Sequence, residues 1–167
     1  LVIDVQQGLF AENPFEPDRL LTHLKTLIDQ ARNNNVPVIY VQHNESPEYA
    51  GSLVAGTPAH AVHPSIAPQA GDAIVQKWTP DSFHNTNLQD VLTEKGIKHL
   101  VLGGMQTEMC VDTTCRSAFA RGYDVVVASD AHTTMDNPVL QANQIIKHHN
   151  STLRMFATIK PTAEITF

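Results

Sequence analysis

The chain has 167 residues, 42% of them hydrophobic and 17% charged, enough apolar material for one domain over 1–167 with a sizeable core. That balance excludes a disordered chain. A net charge of −6, a pI near 5.8 and no cluster of Lys or Arg exclude nucleic acid and an anionic membrane surface as main partners.

The elements follow in order. "LVIDV" at 1–5 is an apolar, strand-like run; the chain begins inside it without a methionine and reads as trimmed at its front. Leu20, Leu21, Leu24, Leu27, Ile28 and Ala31 recur at helical spacing, and Asn33-Asn34-Asn35 ends that helix. "PVIYVQ" at 37–42 is a second strand, and the Pro-, Gly-, Ala- and His-rich stretch 43–72 a long loop over the sheet. "AIVQK" at 73–77 is a third strand. Leu88, Val91 and Leu92 predict a short helix, with Asn87 as cap and Gly96 as stop. "HLVLGG" at 99–104 leads to a helix from about Glu108 to Arg121, closed by Gly122. "YDVVVAS" at 123–129, a helix over roughly Pro138 to Asn150, and "MFATI" at 155–159 complete the series. No run reaches the roughly 20 apolar residues that cross a bilayer.

Strands with continuous rather than alternating hydrophobicity are covered on both faces, as in a parallel sheet. Their alternation with helices predicts a doubly wound three-layer α/β/α fold with right-handed crossovers. Its sheet has six strands, mainly parallel, in the order 3-2-1-4-5-6. The two cysteines, Cys110 and Cys115, are too few for a disulfide framework and lack the spacing of a zinc or redox pair. Reduced thiols in a cytoplasmic protein are the simplest reading. Cys115 is assigned to the core.

In such sheets ligands bind beyond the carboxyl ends of the strands. The first run delivers Asp4 there and the third Lys77; the fourth passes through Gly103-Gly104 and presents Cys110 at the opening of the next helix. A carboxylate, an ammonium and a thiol thus share one edge. The positive end of a helix and a nearby ammonium favour the thiolate. The carboxylate can take the thiol proton and later return it to a departing amine, with no histidine required. Each residue alone has a plainer reading: a strand-end Asp as a cap, a Lys as a solvated charge, a Cys as core. Their coincidence on one sheet edge points to a site. Neither G-x-G-x-x-G nor G-x-S-x-G occurs, so dinucleotide binding and α/β-type serine hydrolysis are unsupported.

Three segments resemble the isochorismatase-like cysteine hydrolases, the family of nicotinamidases and N-carbamoylsarcosine amidohydrolases, and the resemblance covers nearly the whole chain. "VIDVQQGLF" resembles the opening strand with its catalytic Asp, and "VQKWTPDSF" the segment with the catalytic Lys and a pocket Phe. "GGMQTEMCVDTTCRSAFARGYDVVVASDA" is similar to the most diagnostic stretch, Gly-x-x-Thr-x-x-Cys-Val followed by Ala-x-x-x-Gly-Tyr and a strand ending in Asp-Ala.

The resemblance implies a catalytic triad of Asp4, Lys77 and Cys110. It also implies a non-proline cis peptide between Met105 and Gln106, and an oxyanion hole of the Gln106 and Cys110 backbone N–H groups. Gln6, Phe10, His43, Trp78, Phe83 and Thr107 are expected around a small-molecule substrate; Phe10 and Trp78 read equally well as core. Ser82 falls out of register with the family's serine and receives no role. The reaction implied is hydrolysis of a C–N bond in a small amide or ureido compound through a Cys thioester, in a homo-oligomer without cofactor. Nicotinamidases carry an Asp-x-His metal motif after the second strand. Here that strand ends Gln42-His43-Asn44, so no metal is expected, and His60 and His63 are placed in the loop over the sheet. The competing readings are a metal-assisted amidase of the nicotinamidase kind and a binding or assembly protein that keeps the fold.

Overall fold

The computed structural model describes residues 1–48 and 53–167; the part of the expected 43–72 loop at 49–52 lies outside them. The apolar runs form one six-stranded sheet in the order β3-β2-β1-β4-β5-β6, with every pairing between these strands parallel. The strands are β1 (Val2–Ile3), β2 (Ile39–His43), β3 (Ala73–Lys77), β4 (His99–Met105), β5 (Asp124–Thr133) and β6 (Thr158–Lys160). The last is shorter and later than "MFATI" suggests. Leu153–Met155 form a single 3₁₀ turn, and Phe156 turns away from the sheet to pack edge-on against Phe119.

The helices are α1 (Gln7–Phe10), α2 (Pro17–Asn33), α3 (Leu88–Glu94), α4 (Asp112–Ala120) and α5 (Ala142–Thr152). The α2 helix starts on a proline at its first position and buries Leu20, Leu24, Leu27, Ile28 and Ala31, residues spaced to share one face. It packs with Val2, Val5, Tyr40 and Met105 on one side of the sheet. On the other side Leu88 and Leu92 of α3 and Cys115 and Ala118 of α4 join Ile3, Val41, Val75 and Leu102. This is the three-layer arrangement, and Cys115 lies in its core as expected. The α5 helix begins four residues after Pro138 because Gln141 and Gln144 form a reciprocal capping box there. The four-residue α1, invisible to helical periodicity, starts the route across the sheet edge.

The segment before Asp112 is not the first turn of an α-helix. Thr107–Val111 is π-helical, one extra residue in the turn that carries Cys110. It follows a close approach of β4 to its parallel neighbour β1, where Gly104 has φ +133° and a Cβ would stand 2.0 Å from the Ile3 carbonyl oxygen. No side chain fits in that space. Gly104→Ala is expected to cost more than about 4 kcal/mol in urea unfolding, against about 1 kcal/mol for Gly56→Ala. Gly56, also at positive φ, has open space around it.

Candidate active site

The strand register explains why three distant residues meet. His43 and Lys77 are paired positions of β2 and β3, and Ile3 pairs with both Val41 and Gly104. Asp4, the next residue, therefore leaves the sheet between the end of β2 and the chain leading to Cys110. It does so at φ 50°, an unusual conformation for a non-glycine residue. Its backbone N–H is still held by the Val41 carbonyl at 2.9 Å, so the carboxylate is aimed by backbone rather than by side-chain packing. Strained residues of this kind, each worth about 1–3 kcal/mol, persist where the surroundings fix them.

At the centre stands the Lys77 ammonium, whose side chain is 0% exposed. Its nitrogen lies 2.6 Å from Asp4 Oδ2, 3.1 Å from His43 Nδ1 and 3.1 Å from Cys110 Sγ. An ammonium has three hydrogens and no lone pair, so these three acceptors use all of it. His43 Nδ1 must accept, and the ring proton then resides on Nε2. Burial, followed by the Lys77 charge, holds the His43 pKa below its ordinary value, which keeps the ring neutral.

The same surroundings correct one expectation. Cys110 is not a resting thiolate: its pKa is pushed up to about 12, first by burial and then by the neighbouring Asp4 charge. Lys77 opposes these influences without overcoming them. The thiol of the free protein is neutral. Apart from the ammonium and the thiol, the Asp4 oxygens have no hydrogen-bond donor among the described residues, so a lone pair is open to the thiol proton.

The Asp4, His43 and Cys110 ligand atoms lie within 4.8 Å of one another, a spacing a metal ion could bridge. The donor set does not fit that use, because the ammonium already occupies the space between them. Gln42 and Asn44, which flank His43, are amides engaged with Gln76 and backbone carbonyls.

Other expected residues fall elsewhere. Gln6, fully buried, donates both amide hydrogens to the His43 and His60 carbonyls and accepts from the His43 N–H. It is a clamp between strand and loop, with no hydrogen left for a ligand. Phe83 belongs to the core, stacked on Tyr123 at 5.9 Å with Arg121 over its ring, and is not a pocket wall. Trp78 is 63% exposed and walls nothing among the described residues. Successive strand residues point oppositely, so an inward Lys77 sends Trp78 out. Phe10 meets the His63 ring at 4.6 Å, where α1 abuts the loop. Thr107 is buried and bonded to His132 at 2.8 Å. Ser82 is bonded to Thr114 of α4.

The Met105–Gln106 peptide is cis, and the Gln106 N–H donates to no backbone carbonyl among the described residues. Sequence reasoning missed the amide ladder of Gln6, Gln42, Gln76 and Asn44, which ties three strand ends to the His60 carbonyl. Its signal was present: a glutamine just inside the end of two otherwise apolar strands. A cavity of about 610 Å³ bordered by Leu1, Pro37 and Gly96 opens at the opposite edge of the sheet, away from Cys110.

Comparison with known proteins agrees with this architecture. The chain is 36% identical over 150 residues to the secreted isochorismatase effector Isc1 of Verticillium dahliae, covering 88% of this chain and 78% of that protein. It is 32% identical over 154 residues to nicotinamidase 3 of Arabidopsis thaliana, covering 85% and 76% respectively. The crystal structure of an isochorismatase from Pseudomonas putida KT2440 superposes with a TM-score of 0.93 at 28% identity, over 98% of this chain and 87% of that one. No helix among the described residues is long and apolar enough to cross a membrane. The isochorismatase domain model matches residues 1–160, and the chain belongs to the isochorismatase family of hydrolases.

Proposed function

We propose that this one-domain protein hydrolyses the C–N bond of a small, uncharged amide through a thioester on Cys110. The observation that carries this reading is the Lys77 ammonium, shared among Asp4, His43 and the Cys110 sulfur. Asp4 takes the Cys110 proton as sulfur adds to the substrate carbonyl, and the C–S bond forms. The oxyanion is held by the Gln106 and Cys110 N–H groups. When the tetrahedral adduct collapses, the C–N bond breaks and Asp4 passes the proton to the leaving nitrogen. Water then attacks the thioester: a C–O bond forms, the C–S bond breaks, and a water proton returns by way of Asp4 to sulfur. Lys77 stays protonated, fixing Asp4 and offsetting the charge that passes between sulfur and oxygen. A neutral resting thiol suits this order, because the nucleophile is made only when a carbonyl is there to receive it.

Charge narrows the substrate. The ionisable neighbours acting on Cys110 are Asp4 and Lys77, and those on His43 are Lys77, Asp4, Glu45 and His60. His60 is also kept neutral, with its pKa lowered by burial. Arg32 is paired with Asp72, Arg116 with Asp112 and Arg19 with Glu16. Among the described groups no cation beside Lys77 acts on this site, and Asp4 neutralises it. That supports a primary amide over a ureido acid, whose carboxylate needs a cation of its own. Nicotinamidase 3, among the relatives, is named for such an amide. Two free cysteines support a reducing compartment such as the cytoplasm. Exposed Trp78 and Met109, sequence neighbours of Lys77 and Cys110, support contact with a further copy in a homo-oligomer.

Three outcomes test the proposal. Ammonia release from a panel of primary amides, nicotinamide and hexanamide included, is expected from the wild type and absent in Cys110→Ala; release that survives the substitution refutes it. Hexanamide is expected to exceed the monoamide of adipic acid by roughly tenfold in kcat/KM, the effect of one uncompensated charge near the site. Asp4→Asn removes a carboxylate that raises the Cys110 pKa, so iodoacetamide alkylates Cys110 several-fold faster at pH 8. The same variant loses amide turnover by at least about a hundredfold. Slower alkylation together with retained turnover would place the base elsewhere.

A further inference from the structure

We propose that His132 and Asn150 form a relay that positions Thr107 and, through it, the Gln106 amide; the inference rests on the oxyanion role given above to that amide. His132, near the end of β5, is 3% exposed and touches none of the reacting groups. Its Nδ1 lies 2.8 Å from Thr107 Oγ1 and its Nε2 3.0 Å from Asn150 Oδ1 on α5. Asn150 Nδ2 donates to the Ser129 carbonyl at 2.9 Å.

Hydrogen bookkeeping gives this chain one direction. The Ser129 carbonyl can only accept, so the Asn150 NH₂ group faces it and Oδ1 faces the imidazole. Nε2 must then carry the ring proton, Nδ1 is an acceptor, and the Thr107 hydroxyl is the donor. The ring stays in that neutral form because burial lowers its pKa to about 4. Nδ1 therefore remains an acceptor at neutral pH.

The neighbours of Thr107 are tied to the same place. Gln106 Nε2 donates to Met135 Sδ at 3.2 Å, and Thr134 Oγ1 donates to Glu108 Oε1 at 2.8 Å. Three successive residues, 106 to 108, are thus fastened by side chains to 135, 132 and 134 at the exit of β5. Gln106, which supplies the proposed oxyanion donor, begins this fastened stretch. A misplacement of about 1 Å in such a group can cost a hundredfold in rate. His132 and Asn150 also line a polar cavity of about 340 Å³ on the side away from Thr107, so the relay can be reached by a small molecule.

The test uses p-nitrophenyl acetate as an activated acyl probe, alongside whichever primary amide is turned over. Thr107→Val keeps the shape and loses the hydroxyl; its kcat is expected to fall between about tenfold and a hundredfold with KM changed less than twofold. Thr107→Ser is expected to stay within threefold of wild type. His132→Ala is expected to lose kcat to a similar degree and to recover at least about a third of it in millimolar imidazole, which can enter the cavity beside Asn150. The recovery should follow the neutral fraction of imidazole as pH is varied, because an acceptor nitrogen is required. Imidazole should restore nothing in the His132→Ala, Thr107→Val double variant. Full activity in Thr107→Val, or recovery equal in single and double variants, overturns the relay while leaving Cys110 hydrolysis standing. No turnover of the probe or of any amide by the wild type overturns the parent reading and the relay with it.

Discussion

A lysine ammonium cannot be buried alone. Removing the charge from water costs several kcal/mol even after relaxation, and only acceptors in good geometry repay it. In this protein Asp4, His43 and Cys110 are those acceptors, and they come from just after β1, from β2 and from the segment after β4. The need to satisfy one cation therefore brings three chain segments to a single point. Removing Asp4 would strand a buried charge, which makes the contact used by the proposed chemistry one that folding depends on as well.

The surroundings show how a thiol can be kept inactive until it is wanted. Burial and the nearby carboxylate favour the protonated sulfur, and the ammonium offsets part of that preference. In the proposed reaction an approaching carbonyl changes the balance by giving the displaced charge an oxygen to settle on, beside backbone N–H groups. The bases that could compete are quiet: His43 and His60 both have lowered pKa values, with burial the main cause. In the proposed mechanism the site is thus set for one proton journey, from sulfur to carboxylate to leaving group.

Much of this could be read in the residues, and the misses have physical causes. Asp4, Lys77 and Cys110 were legible because each follows a continuous apolar run, and a parallel sheet gathers the ends of such runs at one edge. The order of the strands follows from a different cue, the doubly wound pattern that repeated strand–helix alternation predicts. Phe83 was misread because an apolar residue in a loop does not say whether it faces core or ligand; here Tyr123 and Arg121 claim its ring. Trp78 was misread although strand alternation argues against it. The neutral state of Cys110 was hidden because desolvation is a property of the packed site rather than of local sequence. The π-helical turn at Thr107–Val111 has no periodic signature in five residues. Pro138 suggests an earlier start for α5 than the structure has, because the glutamine pair at 141 and 144 sets it.

The Gln6 clamp has one more consequence. Its side chain grips the main chain at His43 and again at His60, so both ends of the intervening stretch are anchored through peptide groups. Peptide groups are the same whatever side chains they carry. Residues between the anchors can therefore be exchanged, lengthened or shortened while the sheet edge keeps its shape. A chain built this way can change what lies over its sheet edge by rewriting a tethered span, with the buried cluster around Lys77 left untouched.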